Sequence, residues 1–111
     1  MNPKISATSK ERQQNMLRHF PTILARWSGA DARLKELTVS HLSLRIEARL
    51  PNQPSHLRVA CIEPMLIHAP IRWTISQLQV ALTESGNFEL RDDQMNIRIV
   101  AGKIEIAEIT E

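Results

Sequence analysis

The 111-residue sequence predicts a single α+β domain, in which an N-terminal amphipathic helix packs on a curved antiparallel β-meander of six to seven strands. The prediction rests first on a change of hydrophobic period. Apolar residues recur every three to four positions up to residue 28, as in a helix, and at every second position from residue 34, as in strands. It rests second on the short turns between strands, which favour antiparallel pairing. We expect a flexible tail over residues 1–8, a helix over 9–28 and a sheet over 34–109.

The predicted helix begins at a capping box, in which Thr8 and Glu11 each accept a hydrogen bond from the other's backbone N–H. Its apolar stripe consists of Met16, Leu17, Phe20, Ile23, Leu24 and Trp27. Gly29 favours a helix end because glycine readily adopts a left-handed conformation. Pro21 removes one helical hydrogen bond, but the stripe keeps its phase across it. We therefore expect a Pro-kinked helix rather than two separate ones.

The strand pattern is clearest over residues 42–50, where apolar residues alternate with polar and charged ones. A loop containing two prolines follows, and alternation resumes over 56–62, so these two segments are expected to form a hairpin. Near the end of the chain, residues 95–99 are expected to pair with 104–106 across a turn at Ala101–Gly102. The alternation also predicts that Trp73 faces the core.

Composition and charge exclude several classes of protein. Residues 1–35 contain seven Lys/Arg and two Asp/Glu, whereas residues 36–111 contain seven and ten, so a basic first third precedes a mildly acidic remainder. Tyrosine is absent and there are two Phe and two Trp, too few stacking platforms for nucleic-acid binding to be expected. A single cysteine favours a reducing, cytoplasmic location. No apolar run approaches the roughly 18 residues of a membrane span, and the first residues lack a secretory signal, so no membrane partner is expected.

The predicted helix also contains a possible binding ridge. Arg12, His19 and Arg26 recur every seven residues, which places them along one border of the apolar stripe. One interpretation is a docking ridge that binds an acidic partner or phosphate. The alternative is a solvated helix border whose long side chains cover apolar surface.

The segment Val59–Trp73, VACIEPMLIHAPIRW, raises the question of a chemical site, because Cys61, Glu63 and His68 fall within eight residues. Zinc requires three or four ligands at characteristic spacings, and no such motif is present unless His41 or His56 completes the set. A thiol nucleophile requires an accessible thiolate with a base nearby.

The same segment has a structural interpretation. Cys61 shares the parity of Leu57 and Val59, which predicts a small buried residue rather than a reactive one. Pro64 and Pro70 cannot donate to a sheet ladder, so they mark strand ends, edges or bulges. Residues 65–67 between them are expected to form a short edge strand or a connection.

The end of the chain suggests self-association. Residues 103–109, KIEIAEI, are apolar at alternate positions, and a strand at a sheet edge has backbone groups free to pair with another copy. We therefore expect a homodimer with two-fold symmetry, or a complex with another protein.

No nucleotide-binding glycine motif or nucleophile elbow occurs, and no cofactor is expected. The sequence thus favours a non-catalytic module for protein interaction or self-association. One alternative is a carrier of a small apolar ligand in a cavity between helix and sheet. Another is a metal-dependent or thiol enzyme centred on Cys61, Glu63 and His68.

Overall fold

The computed structural model describes residues 9–38 and 42–110, with side chains described at residue 15 and from residue 17 onward within these ranges. One helix, α1, precedes a seven-stranded antiparallel sheet, and most of the described chain is sheet. The elements are α1 Ser9–Ala25, β1 Asp31–Thr38, β2 Ser43–Arg49, β3 Ser55–His68, β4 Arg72–Thr74, β5 Gln79–Leu82, β6 Phe88–Asp92 and β7 Ile97–Thr110, with a 3-10 turn at Asp93–Met95. The predicted tail over residues 1–8 lies outside the described residues.

The strand order is β4-β1-β2-β3-β7-β6-β5, and neighbouring strands are antiparallel throughout. The predicted hairpin is confirmed as β2–β3. The predicted meander is wrong, because β4 pairs with β1 rather than β3, and β7 lies between β3 and β6. The predicted turn at Ala101–Gly102 is also wrong, because β7 continues through it as one strand of 14 residues. The reason is that β3 has the same length and pairs with β7 both before and after Ala101–Gly102.

The strand order requires the sheet to curl. β4 and β5 are the two edge strands, yet the chain passes directly from Thr74 to Gln79 between them. Five Cα steps span at most about 18 Å. A flat sheet with six strand spacings of about 4.8 Å would place the edges about 29 Å apart. The two edges are therefore brought together by curvature, in agreement with the predicted curved sheet.

The two long strands change direction together near their middle. Glu63 has a left-handed backbone with φ of 56°, and the β3–β7 register shifts between Pro64 and Leu66. Gly102 lies against this point, since a Cβ there would be 3.4 Å from Cβ of Glu63. β2 pairs with β3 only as far as Ile62, and β6 pairs with β7 only as far as Ala101. Among the described residues, each long strand consequently has a second neighbouring strand along only about half of its length.

The core lies on the concave side of the sheet and includes residues from both helix and strands. Trp27 and Trp73 are buried, as their positions in the apolar patterns predict. Helix α1 lies next to β5 and contributes Phe20 and Leu24 to the core. It contains Pro21 and ends at Ala25, three residues earlier than predicted; the kink remains a prediction. No described helix is long and apolar enough to span a bilayer.

A buried carboxylate fixes the connection between β4 and β5. Asp92 has no exposed surface. Its side chain accepts hydrogen bonds from the backbone N–H groups of Ser76 at 2.9 Å and Gln77 at 3.2 Å. These donors lie between strands and have no ladder partner, so the carboxylate supplies the acceptors that the sheet does not.

Candidate interaction surface

The residues proposed as a chemical site are dispersed. Cys61 is fully buried and faces the core, and desolvation raises the pKa of its thiol to about 12. Glu63 is exposed at the bend, and His68 is exposed with its Nε2 3.3 Å from Nδ2 of Asn96. Within the described ranges, no three His, Cys, Asp or Glu side chains are grouped so as to hold a metal ion. The thiol is therefore protonated at neutral pH and shielded from solvent, which does not suit a nucleophile.

Of the two histidines considered as further ligands, only His56 can be placed, and it belongs to no such group among the described residues. His56 is buried in β3, and His41 lies outside the described residues.

The predicted binding ridge is only partly described. The side chain of Arg12 lies outside the described residues, and His19 is exposed on α1. Arg26 donates two hydrogen bonds to the carboxylate of Glu108, at 3.1 and 2.5 Å, and Nε1 of Trp27 donates to the same carboxylate at 2.8 Å. The hydrogen bond from Arg26 lowers the pKa of Glu108 and outweighs the opposing effect of desolvation; the hydrogen bond from Trp27 and the charge of Arg26 lower it further. Arg26 thus ties the end of the helix to β7, and a binding role for the ridge remains a prediction.

The exposed large apolar side chains lie in a few segments of the described chain. Ile71 is 76% exposed and Met65 is 58% exposed, so neither is part of the core. We call the whole set the apolar rim: Leu37, Leu42, Met65, Leu66, Ile67, Ile71 and Met95. Isolated exposed apolar residues are common on proteins, whereas a contiguous group often marks a contact surface.

Polar contacts bring the segments of the apolar rim together. The backbone N–H of Glu63 donates to the carbonyl of Leu42 at 2.7 Å, which joins the end of the β1–β2 hairpin to β3. The contact between His68 and Asn96 joins the other end of β3 to the residue after Met95. Leu42 and Met95 therefore lie near the two ends of the second half of β3.

A further hydrogen bond places the crossover to β4 beside β1. The N–H of Leu34 donates to the carbonyl of Ile71 at 2.8 Å. Leu37 lies three residues along β1 from this bond, and Ile71 lies three residues beyond the end of β3. The exposed residues of β1 and of the crossover thus belong to the same part of the molecule as the β3 residues.

The second half of β3 also has an unpaired side. Over Pro64–His68, which we call the β3 edge, the strand pairs only with β7 among the described residues. Leu66 lies opposite Val100, and Ile67 lies opposite the buried Ile99, so the edge has an apolar side chain on each face of the sheet. Pro64 has no N–H and Met65 lies at the register shift, so regular pairing is most available beyond them.

The second half of β7 also has an edge, but unlike the β3 edge it has charged side chains. β7 is not an edge strand in the strand order, but it has β3 as its single strand neighbour from Lys103 onward within the described chain. Lys103 and Glu105, on the same side of this part of β7, form an ion pair at 3.6 Å. Glu108 forms an ion pair with Arg26 at the end of the helix. Charged side chains along an edge discourage pairing with other strands. The β3 edge is therefore the better candidate for pairing.

Sequence reasoning recognised the β3 edge as a short edge strand or connection but did not identify it as a surface. The available signal was the run Met65-Leu66-Ile67 followed by Ile71, because a strand with one wet face alternates rather than running apolar. Comparison of the chain with protein-family models, with curated proteins and with solved structures gives no match.

Proposed function

We propose that this protein is a non-catalytic self-association module that forms a two-fold symmetric dimer through the β3 edge. The observation that carries the proposal is a set of exposed apolar side chains near a strand segment that has one side unpaired among the described residues. Unpaired N–H and C=O groups of an edge favour addition of another strand, and the apolar side chains favour one that is apolar on both faces.

A second copy of this chain has both properties. Pairing of two identical β3 edges is antiparallel in a two-fold dimer, so each edge meets the same residues in its partner. The acidic end at Glu63 then lies towards the partner end that contains His68 and Arg98, which are opposite each other in the β3–β7 register. Arg98 is also paired with Glu89 of its own subunit, so charge at the two ends contributes little to the antiparallel arrangement.

The expected affinity is moderate. Met65, Leu66, Ile67 and Ile71 together expose about as much as two complete side chains. Burying that surface stabilises the dimer by about 3–6 kcal/mol for each copy. Loss of translational and rotational freedom opposes association by about 4–15 kcal/mol. Even the most favourable combination of these figures, a net gain of about 8 kcal/mol for the two copies together, corresponds to dissociation in the micromolar range, so nanomolar affinity is not expected.

The test is sedimentation equilibrium of the full chain across the micromolar range. The wild type should show a monomer–dimer equilibrium, and Met65→Lys with Ile71→Lys should shift it to monomer, because association would bury two added charges. The matched control is Ala81→Lys with Ser85→Lys, which adds the same charge at exposed positions on β5 and the following turn. This control should dimerise like the wild type.

A wild-type protein that remains monomeric over this range would contradict the proposal. Dimerisation that survives the rim variant but is lost in Ala107→Lys would move the interface to the second half of β7. Circular dichroism melts of each variant show whether loss of association merely reflects unfolding.

A further inference from the structure

A cavity of about 500 Å³ lies between α1 and the segment that joins β4 to β5. Its apolar wall is formed by Pro21, Leu24, Ala25, Leu78 and Val80. This volume falls within the roughly 300–1,000 Å³ of small-molecule sites, which are mostly apolar with a few polar groups. The cavity borders β5, at the opposite edge of the sheet order from β4, and shares no lining residue with the apolar rim.

The polar groups of the cavity are uncharged, and several are already paired. The hydroxyl of Ser28 donates to the carbonyl of Ser76 at 2.8 Å. The backbone N–H groups of Ser76 and Gln77 are occupied by the buried Asp92 carboxylate. These interactions hold the floor of the cavity in place and leave its backbone donors satisfied.

Of two side-chain amides in the cavity lining, one remains available to a ligand. Oε1 of Gln79 accepts from Nη2 of Arg91 at 3.1 Å, so its amide nitrogen has donors left over. Gln77 is exposed, and its side chain has no hydrogen bond among the described residues. The Gln77 amide is thus free to donate to an acceptor oxygen at the cavity mouth, whereas the Gln79 amide lies against Arg91 of the neighbouring strand.

The lining determines the chemistry of the ligand. No Lys, Arg, Asp or Glu belongs to the described lining, so an ionised group would lose hydration without gaining an opposite charge. We propose that the cavity binds an uncharged, mainly apolar small molecule that presents one acceptor oxygen, as a medium-chain alcohol does. The proposal is independent of dimerisation at the β3 edge.

Binding is tested with the neutral fluorophore N-phenyl-1-naphthylamine, titrated into the full chain. Saturable fluorescence enhancement is expected for the wild type. Ala25→Phe should weaken binding by about tenfold or more, because the ring occupies the volume the probe needs. The matched control Ala81→Phe adds the same ring at an exposed β5 position outside the cavity lining and should bind like the wild type. Should Ala25→Phe fail to fold, Gln79→Trp provides a second blocking variant on the strand side.

Competition tests the predicted ligand class. At neutral pH, 1-decanol should displace the fluorophore at a lower concentration than decanoate, which has the same chain length and a negative charge. Absence of saturable binding, or equal weakening in the cavity and control variants, would overturn the site. Displacement by decanoate at equal or lower concentration would overturn the assignment of an uncharged ligand.

Discussion

Replacing Asp92 by alanine should destabilise the fold much more than the same replacement at Asp93. Asp92 is completely buried and accepts two backbone hydrogen bonds, from Ser76 and Gln77. Hydrogen bonds to a charged group contribute about 1.5–3 kcal/mol each. Water can reach part of the vacated space because Ser76 is only half-buried, so we expect the free energy of unfolding to fall by about 3 kcal/mol, the lower end of the sum for two bonds.

Asp93 provides a matched control one residue away. Its side chain is 67% exposed and makes one ion pair, with Arg91 at 3.7 Å. Exposed ion pairs of this kind contribute about 0–1 kcal/mol. Asp92→Asn should be intermediate, because its remaining carbonyl oxygen still accepts hydrogen bonds.

The assay is urea unfolding followed by circular dichroism. With a slope of about 1–3 kcal/mol per molar urea, the loss expected for Asp92→Ala lowers the midpoint by about 1–3 M. Equal midpoints for the two alanine variants would refute the reasoning. In that case the β4–β5 segment would be held mainly by the hydrogen bonds of Ile75 with Gly29 and Ala30.

Three further outcomes are expected. Burial raises the pKa of Cys61 from 9.0 to about 12, so the thiol of the unfolded chain ionises first as pH rises through that interval. The free energy of unfolding should therefore fall by about 1.4 kcal/mol per pH unit there. The urea midpoint of Cys61→Ala should not show this fall. The Arg26 hydrogen bond lowers the pKa of Glu108, so its contribution is present above the ordinary value of 4.5 and lost as pH falls through the lowered one. Thermal melts of Glu108→Gln should therefore differ from wild type at neutral pH and converge with it in strong acid. Gly86 has φ of 84°, so Gly86→Ala should cost about 1–2 kcal/mol in a urea titration, because alanine is strained in that conformation.

Local patterns in the sequence correctly predicted which side chains are buried, because burial depends on which face of one strand or helix a residue occupies. The parity of Leu57, Val59 and Cys61 predicted a buried thiol, and the thiol is buried. Trp27 and Trp73 were placed in the core by the same kind of argument, and both are there. A side chain's face follows from backbone geometry that repeats every two residues in a strand and every 3.6 in a helix, so these inferences need no knowledge of distant partners.

The sequence predicted the pairing of strands less well than the burial of side chains. The run Arg72–Thr74 is too short to indicate its neighbour, and in the structure it pairs with β1 and becomes one edge of the sheet. Gly102 resembled part of a turn in the sequence, yet it lies inside a strand where Glu63 approaches closely. The candidate surface depends on these long-range pairings, since in the described part of the chain the second half of β3 loses a neighbour where its pairing with β2 ends.

The sequence by itself determined the class of the fold, the alternation that buries one face of each strand, and the burial of its single cysteine. Tertiary structure alone decided the strand order, the position of Asp92 beneath the β4–β5 segment, and the gathering of exposed apolar residues near the β3 edge. The physical reason is that periodicity encodes which face of an element avoids water. The neighbour that covers that face depends on the packing of the whole chain, which no local window contains.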